Sequence, residues 1–391
     1  MSEQPLIVYR HAIDFPNAHA HSLQVISNIC ALADEGAQVL FSARTWTAPT
    51  PEQRFAYYGA DPRPGITMLD APDRPAGIRE WRGLRSRWAL RRLVDPARRP
   101  VFYLRDNGLN FRTIIDLLKL RGALNARIVL ECHTTHQTKH AGDDKKRNMR
   151  RWRYARKFEM QAVREVDLLV AVSEGLREQL VQLSGRTRSS IALRNGTDLP
   201  ALEPAPLAQR AGIVYLGHPF SGKGLDDAIK ALALIPDETL TVVGGRNEED
   251  IALIHEWARQ SGVSGRVTVT GAVRHDLVFS HLLNARLALL PLKHGSGSPL
   301  KAFEYMAAGL PIVATDAEAN LEIMRESNAG LVVPAREPAA LAQGVAAMLA
   351  DPARAQQYAD HGIAYAREHT WRRRARRLLD EIDRLPAPRD R

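Results

Sequence analysis

The chain has 391 residues, 45% hydrophobic and 25% charged, which excludes a small stapled module, wholesale disorder and a low-complexity or collagen-like chain. At roughly 150 residues per domain it implies two or three domains, each with its own core. The net charge of +10 admits an acidic partner. Cys30 and Cys132 are far apart and outside any CxxC or Cys/His spacing, so neither a disulfide framework nor a structural zinc site is encoded, and a reducing compartment fits. No run approaches the roughly 18 apolar residues of a membrane span. The start, Met1 to Tyr9, lacks the basic and apolar regions of a signal peptide. The expectation is a cytoplasmic protein without a spanning helix.

Short β-branched or Leu-rich runs alternate with longer amphipathic segments, the pattern of βαβ units and parallel sheets. The predicted fold class is α/β. Runs at 6–10, 38–42, 66–69, 101–104, 127–131, 167–172 and 190–193 predict seven strands of one doubly wound sheet. After the first strand, Leu23, Ile26, Cys30 and Ala33 share one stripe, predicting a helix that buries Cys30 as a small hydrophobe. Pro200, Pro204 and Pro206 mark 199–209 as a linker. Further runs at 212–216, 240–243, 266–270, 288–290, 312–314 and 331–333 predict a second sheet. The expected organisation is therefore a domain 1–198, the linker 199–209 and a domain 210–370, both domains Rossmann-like. A last segment carries Leu378, Leu379, Ile382 and Leu385 on one face amid arginines and must dock somewhere.

Charge is unevenly spread. Between Arg74 and Arg99 lie nine arginines against Glu80 and Asp95, and between Lys139 and Lys157 nine Lys or Arg against Asp143 and Asp144. Together these segments carry +14, leaving about −4 for the rest. Trp81, Trp88 and Trp152 lie among the arginines, and Trp81, Leu84 and Trp88 fall on one helical face. That mixture suits an anionic membrane surface; it also describes a solvated helix face covered by arginine stems.

Ligands of open α/β sheets bind beyond the carboxyl ends of the strands, and two strand-to-helix turns stand out. The first, Tyr215 to Leu225, is punctuated by Gly217, Gly222 and Gly224 and carries Lys223. Amides and a cation converge there, as a phosphate needs; an ordinary turn with a solvated lysine reads the same way. The second runs from Leu292 to Glu304. In it Gly295, Ser296 and Gly297 precede Ser298, a good N-cap, and Pro299, a good first helical residue before Leu300. Glu304, in the second turn, is suited to accepting hydrogen bonds from ribose hydroxyls while phosphates occupy the amides. Its alternative is an i,i+3 ion pair with Lys301, worth a few tenths of a kcal/mol.

The segment Ser298-Pro-Leu-Lys-Ala-Phe-Glu-Tyr-Met-Ala-Ala-Gly-Leu-Pro-Ile-Val-Ala314 resembles the donor-site helix and following strand of the retaining, two-domain glycosyltransferases of the GT-B fold, family four, also called glycosyl transferases group 1. Val172-Ser173-Glu174-Gly175-Leu176, Asn195-Gly196-Thr197-Asp198, Lys223-Gly224-Leu225 and Val243-Gly244-Gly245 are similar and in order, with looser matches at Tyr103-Leu104-Arg105-Asp106 and Glu131-Cys132-His133. The resemblance implies two Rossmann-like domains facing across a cleft, an N-terminal acceptor domain and a C-terminal donor domain, with the segment 371–391 crossing back to the first. It implies transfer of a hexosyl unit from a nucleotide sugar, UDP- or GDP-linked, to a glycan or lipid-linked acceptor with retention, in cell-surface polysaccharide or glycolipid synthesis, at the cytoplasmic face of a membrane or in the cytoplasm. The nucleotide sugar enters as substrate; no cofactor or metal is implied, and no Asp-x-Asp motif sits at a strand end.

Position by position, the resemblance implies that Glu304 binds the ribose, Lys223 neutralises the diphosphate and His133 faces the sugar. Gly217, His218, Gly295, Ser296, Gly297, Ser298, Pro299 and Leu300 would line the donor, and Asn17, His19 and His21 the acceptor side. His133 also reads as a hydrogen-bonded loop residue beside His136 and His140. Three departures stand out: Ser296 replaces the first of the family's paired glutamates, His218 replaces its arginine, and the loop from Arg10 to His21 has no glycine pair. An epimerase or phosphorylase of the same fold is an alternative. A non-catalytic nucleic-acid binder using the basic segments is another, against which the donor-site motifs speak, and no nucleic-acid partner is expected.

Overall fold

The structure, a computed structural model, describes residues 4–11, 13–69, 94–106, 111–135, 149–295 and 297–386. Most of the two basic segments, with Trp81, Leu84, Trp88 and the Trp152 side chain, lies outside the described residues, as do His136, His140 and Ser296. The chain forms two units, Met1–Arg194 with Trp371–Arg391, and Asn195–Thr370. Among the described residues no helix is long and apolar enough to cross a membrane.

The first unit holds β1 (Leu6–His11), β2 (Gln38–Ala43), β3 (Ile66–Met68), β4 (Val101–Arg105), β5 (Arg127–Cys132), β6 (Leu168–Ala171) and β7 (Ser190–Ala192). They pair in the order β3-β2-β1-β4-β5-β6-β7, parallel throughout. The second holds β8 (Ile213–Leu216), β9 (Leu240–Val243), β10 (Val267–Val269), β11 (Leu287–Leu290), β12 (Ile312–Thr315) and β13 (Gly330–Val333) in the parallel order β10-β9-β8-β11-β12-β13. This is the doubly wound α/β architecture, and every expected strand lies within a residue or two of its predicted bounds. Parallel strands are covered on both faces, hence the uninterrupted apolar runs. In β8, Ile213 and Tyr215 enter one core of the second unit and Val214 the other. Strand order reverses between β1 and β4, and between β8 and β11, the points at which such sheets open a crevice.

The helix Trp371–Asp383 packs on the helix Ala20–Asp34 in the first unit. Trp371, Ala375, Leu378 and Ile382 form its buried stripe, at the i, i+4, i+7 and i+11 spacing of one helical face. Its C-terminal end is met by a cation: the Arg127 guanidinium donates to Ile382 O in the last turn at 2.8 Å and to Leu385 O just beyond it at 2.6 Å. On the outer side Arg372 and Arg376 pair with Glu35 at 2.6 and 2.8 Å.

This docking corrects the expected stripe of the Ala20–Asp34 helix. Leu23 and Ala33 are only half-buried, whereas the polar Ser22, Gln24 and Asn28 are buried with Val25, Ile29 and Leu32. The helix is covered on a second side, so its polar residues face an interior rather than solvent. Cys30 is buried and free, as is Cys132.

Leu378 has no exposed surface, and truncating such a side chain typically costs about 2–5 kcal/mol. Leu378→Ala is expected to move the first urea transition to lower denaturant by that amount; an unchanged midpoint would show that the helix contributes little to the first unit.

Candidate functional site

In the second unit the turns leaving β8, β9 and β11 are stacked backbone against backbone. Gly217 N donates to Val243 O at 2.9 Å, and Lys293 N to Gly222 O at 2.9 Å. A Cβ on Gly244 would sit 2.0 Å from Gly217 O and one on Gly224 1.7 Å from Pro291 O, so only glycine permits this approach. Gly224, at φ +73°, is also the N-cap of the helix Leu225–Leu232. The Lys293 ammonium is committed to this helix, 2.6 Å from Asp226 and 3.2 Å from Asp227.

The loop after β11 is fixed from below. Thr315 Oγ1 donates to Leu292 O at 2.5 Å, Asn320 Nδ2 to Leu290 O at 3.1 Å and Ala319 N to Gly295 O at 2.9 Å. Gly295 and Gly297 both have positive φ. The helix that follows is Leu300–Ala307, with Pro299 as N-cap in an extended conformation. Ser298 is therefore not the N-cap that the sequence suggested. Its hydroxyl accepts from Asn195 N at 3.4 Å and its carbonyl from Asn195 Nδ2 at 2.6 Å, and the extended Pro299 delays the helix by one residue. The first helical amides, Leu300 and Lys301, have no intrahelical acceptor.

Several ionisable side chains converge on these turns. Glu304 is buried, and its Oε1 lies 2.8 Å from His275 Nε2; its hydrogen-bond partner is His275 rather than the Lys301 considered from spacing. Burial pulls the His275 pKa down, but the hydrogen bond and charge of Glu304 outweigh it and leave the pKa raised. Lys301 places its ammonium 4.0 Å above the Tyr215 ring and against Gly217, where a Cβ would meet it at 2.9 Å. Burial first, and the Lys223 charge second, push Lys301 down to about 7 against the opposing pull of Glu304. The Lys223 side chain reaches solvent, yet desolvation by the protein around it still lowers its pKa. His218 Nδ1 accepts from Gly245 N at 3.1 Å; a backbone N–H can only donate, so this imidazole is neutral and carries its proton on Nε2.

The structure thus gathers Gly217, His218, Lys223, Gly295, Gly297, Ser298, Pro299, Leu300 and Glu304 at the β8/β11 switch point. Two further members, Lys301 and His275, carry no site signal in the sequence. Spacing offers Lys301 only an ion pair with Glu304, and His275 lies on a short turn 29 residues before Glu304, with no local signal to link them.

In the first unit His133 follows β5. Asp106 Oδ2, at the end of β4, accepts from His133 N at 2.8 Å and Thr134 N at 3.2 Å. The ring Nε2 lies 2.6 Å from Glu131 Oε1. After β1, Asn17 is committed to its own loop: Oδ1 accepts from His19 N at 2.9 Å and Nδ2 donates to Asp14 O at 2.6 Å. His19 and His21 stack at 5.1 Å, and His21 lies 5.5 Å from His11. Burial, then the neighbouring His21, push the His11 pKa down to about 3.

Residues 210–351 match the family described as Glycosyl transferases group 1, and residues 24–199 that described as Glycosyltransferase Family 4. The chain belongs to the family-four glycosyltransferases. It is 31% identical over 205 residues to the glycogen synthase of Mycobacterium tuberculosis, covering 50% of this chain and 49% of that protein. It is 29% identical over 242 residues to the D-inositol 3-phosphate glycosyltransferase of Xylanimonas cellulosilytica, covering 57% and 58%. The chain thus spans about half the length of the curated relatives it matches. Solved structures share the whole GT-B fold. Sucrose-phosphate synthase of Thermosynechococcus elongatus superposes with a TM-score of 0.76 at 18% identity, covering 97% of this chain and 98% of that one. HepE of Anabaena, in complex with UDP, gives 0.73 at 15% identity, covering 97% and 100%.

Proposed function

We propose that this protein transfers a hexosyl unit from a nucleotide sugar to a hydroxyl of a glycan or lipid-linked acceptor, with retention of anomeric configuration, in cell-surface polysaccharide or glycolipid synthesis. The observation that carries this reading is the convergence of Glu304, Lys301 and Lys223 on glycine-packed turns at the β8/β11 switch point. Glu304, oriented by His275 through Oε1, accepts from the ribose hydroxyls with its second oxygen. The Leu300 and Lys301 amides and the Lys223 and Lys301 ammonium groups meet the diphosphate.

Transfer breaks the bond between the anomeric carbon and the diphosphate oxygen while the acceptor oxygen bonds to that carbon on the same face, its proton passing to the departing phosphate. Negative charge grows on the leaving group, where preorganised donors are worth on the order of 3–4 kcal/mol each. His133 is the proposed contact to the sugar, and His19 and His21 are the acceptor-side candidates, with Asn17 shaping their loop. UDP is the first base to test, since the matching HepE structures hold UDP and UDP-glucose. GDP is the second, since relatives at 28% identity are described as GDP-mannose-dependent.

A panel of UDP-, GDP- and ADP-sugars tests this by thermal shift, a ligand at 100 times its Kd stabilising by about 2.7 kcal/mol. One sugar nucleotide is expected to raise Tm and be turned over. Glu304→Ala and Lys223→Ala are expected to lose that shift while keeping the unliganded Tm. Wild-type affinity in both variants would overturn the site assignment.

Lys301 adds a pH signature. With a pKa of about 7 in the empty site, it is mostly neutral at pH 8, and a bound diphosphate favours its ammonium form. Binding of UDP or GDP at pH 8 is therefore expected to take up most of one proton, read by calorimetry in buffers of different ionisation enthalpy. The uptake should vanish in Lys301→Arg, which is charged throughout. Equal uptake in wild type and variant would remove Lys301 from the phosphate site.

The basic segments fit a lipid-linked acceptor, since each Lys or Arg near an anionic surface is worth about 1 kcal/mol. Co-sedimentation with anionic vesicles at low salt is expected, and its loss at high salt or in the quadruple variant Arg85→Gln, Arg87→Gln, Arg91→Gln, Arg92→Gln. Equal binding to neutral vesicles, or none to either, would point to a soluble acceptor.

A further inference from the structure

The face of β5 that carries Arg127, Val129 and Glu131 turns toward the C-terminal helix: Arg127 reaches that helix's last turn, and Glu131 reaches Arg374 within it. Glu131 has no exposed surface and Arg374 is 4% exposed. The carboxylate is fully engaged. Its Oε2 accepts from Arg374 Nη2 at 2.8 Å and from the Tyr103 hydroxyl, and its Oε1 from Gln24 Nε2 at 2.7 Å, with His133 Nε2 2.6 Å away. Arg374 is itself fixed, donating through Nη1 to Asn28 Oδ1 at 2.7 Å and through Nε to Arg194 O at 3.0 Å. So many partners for one guanidinium and one carboxylate make a site built to hold a geometry, not a stray ion pair.

Two contacts of His133 require opposite tautomers. Arg105 Nε lies 3.1 Å from His133 Nε2 and could donate only to a lone pair there. Glu131 Oε1, at 2.6 Å, can only accept while ionised, and so requires a proton on the same nitrogen. The shorter, charge-assisted bond prevails: a lone pair facing an anionic oxygen at that distance would be repulsive. Glu131 is held ionised, with a pKa of about 2, because Arg374 and His133 outweigh the opposing effect of burial. Burial first, and the Arg105 charge second, lower the His133 pKa and favour the neutral ring, against the opposing hydrogen bond and charge of Glu131. Nδ1 is left as the ring's acceptor.

We propose that Arg374 is a positioning residue of the transfer reaction: from the C-terminal helix it anchors Glu131, which fixes His133 as the Nε2–H tautomer and leaves Nδ1 to accept a hydroxyl proton of the donor sugar. The sugar contact rests on the role proposed for His133 above; the tautomer relay does not. Cutting the relay at either point has a distinct consequence. Without the carboxylate, as in Glu131→Gln, Arg105 is free to donate to Nε2 and the proton moves to Nδ1. Without the cation, as in Arg374→Met, the remaining anion draws a second proton onto His133 and raises its pKa.

The test uses the full chain labelled with nitrogen-15 in its histidines, with His133→Asn identifying the His133 signals. Long-range proton–nitrogen spectra are expected to show a neutral Nε2–H ring in the wild type at pH 7 and above. Glu131→Gln should show the Nδ1–H tautomer, Arg374→Met a ring that titrates at least one pH unit higher, and Arg374→Lys the wild-type pattern. An Nδ1–H ring or an imidazolium in the wild type at pH 7 overturns the proposal even if a variant fails to fold. An unchanged His133 spectrum in a folded Arg374→Met does so as well. With whichever sugar nucleotide the panel selects, Arg374→Met is expected to lower kcat tenfold or more while KM and the Kd of the free nucleotide stay near wild type. A wild-type kcat beside an altered His133 spectrum would retain the relay and refute the sugar role of His133.

Discussion

A carboxylate with no solvent contact survives as an anion only where a cation and several donors replace water, and Glu131 depends on Arg374 for the cation. Removing one partner of such a pair typically costs about 3–5 kcal/mol, because the other charge is left stranded. Arg374 belongs to the final helix, and its bond to Glu131 makes that helix a structural part of a sheet whose strands were all laid down before Arg194. The same pair explains why Gln24 and Asn28, polar and mid-helix, are buried: each supplies a hydrogen bond to the pair. Arg127 then meets the C-terminal end of the docked helix.

A sheet of parallel strands covered by helices on both faces has no polar face to spare, so its chemistry is confined to the strand ends. Both sheets here obey that constraint, the second at the point where its strand order reverses and the first at that point and one strand beyond it. Beyond β4 and β5 stand Asp106 and His133; beyond β8 and β11 stand Lys223, Lys301 and Glu304. Glycine in the second unit lets backbone approach backbone, as Gly224 does to Pro291 O. Three turns share one small space as a result, and their amides stay close to the charged side chains.

The strands were legible because each is an apolar run bounded by turn residues, and the parallel arrangement makes those runs nearly uninterrupted. Leu240–Val243 stands where the sequence placed it. The stripe on the Ala20–Asp34 helix was misread because periodicity registers one buried face, and the second face is supplied by residues far later in the chain. Ser298 has N-cap chemistry, but the capping geometry went elsewhere once Asn195 claimed its hydroxyl and carbonyl. Glu304 and Lys223 could be singled out because helix starts and glycine turns are local signals. His275 could not, since its meaning comes only from a carboxylate on another element. Lys301 was visible but assigned to the wrong partner: spacing alone pairs it with Glu304, whereas the fold lays it over Tyr215.

That placement bears on the arginine missing from the first turn. His218 cannot replace it as a cation in this geometry, because Gly245 N–H occupies the lone pair of Nδ1 and the ring is neutral. Lys301 approaches the same turn from the helix after β11, so on the proposed reading the lost charge is supplied from a different element. The replacement is not equivalent. A guanidinium stays charged whatever surrounds it. A lysine buried near another lysine sheds its proton when the site is empty, here at about pH 7, and regains it when an anion arrives. The empty site thereby avoids holding two ammonium groups in one crowded space. On the same reading the filled site carries both charges when the leaving group needs them, with binding made pH-dependent by the same exchange.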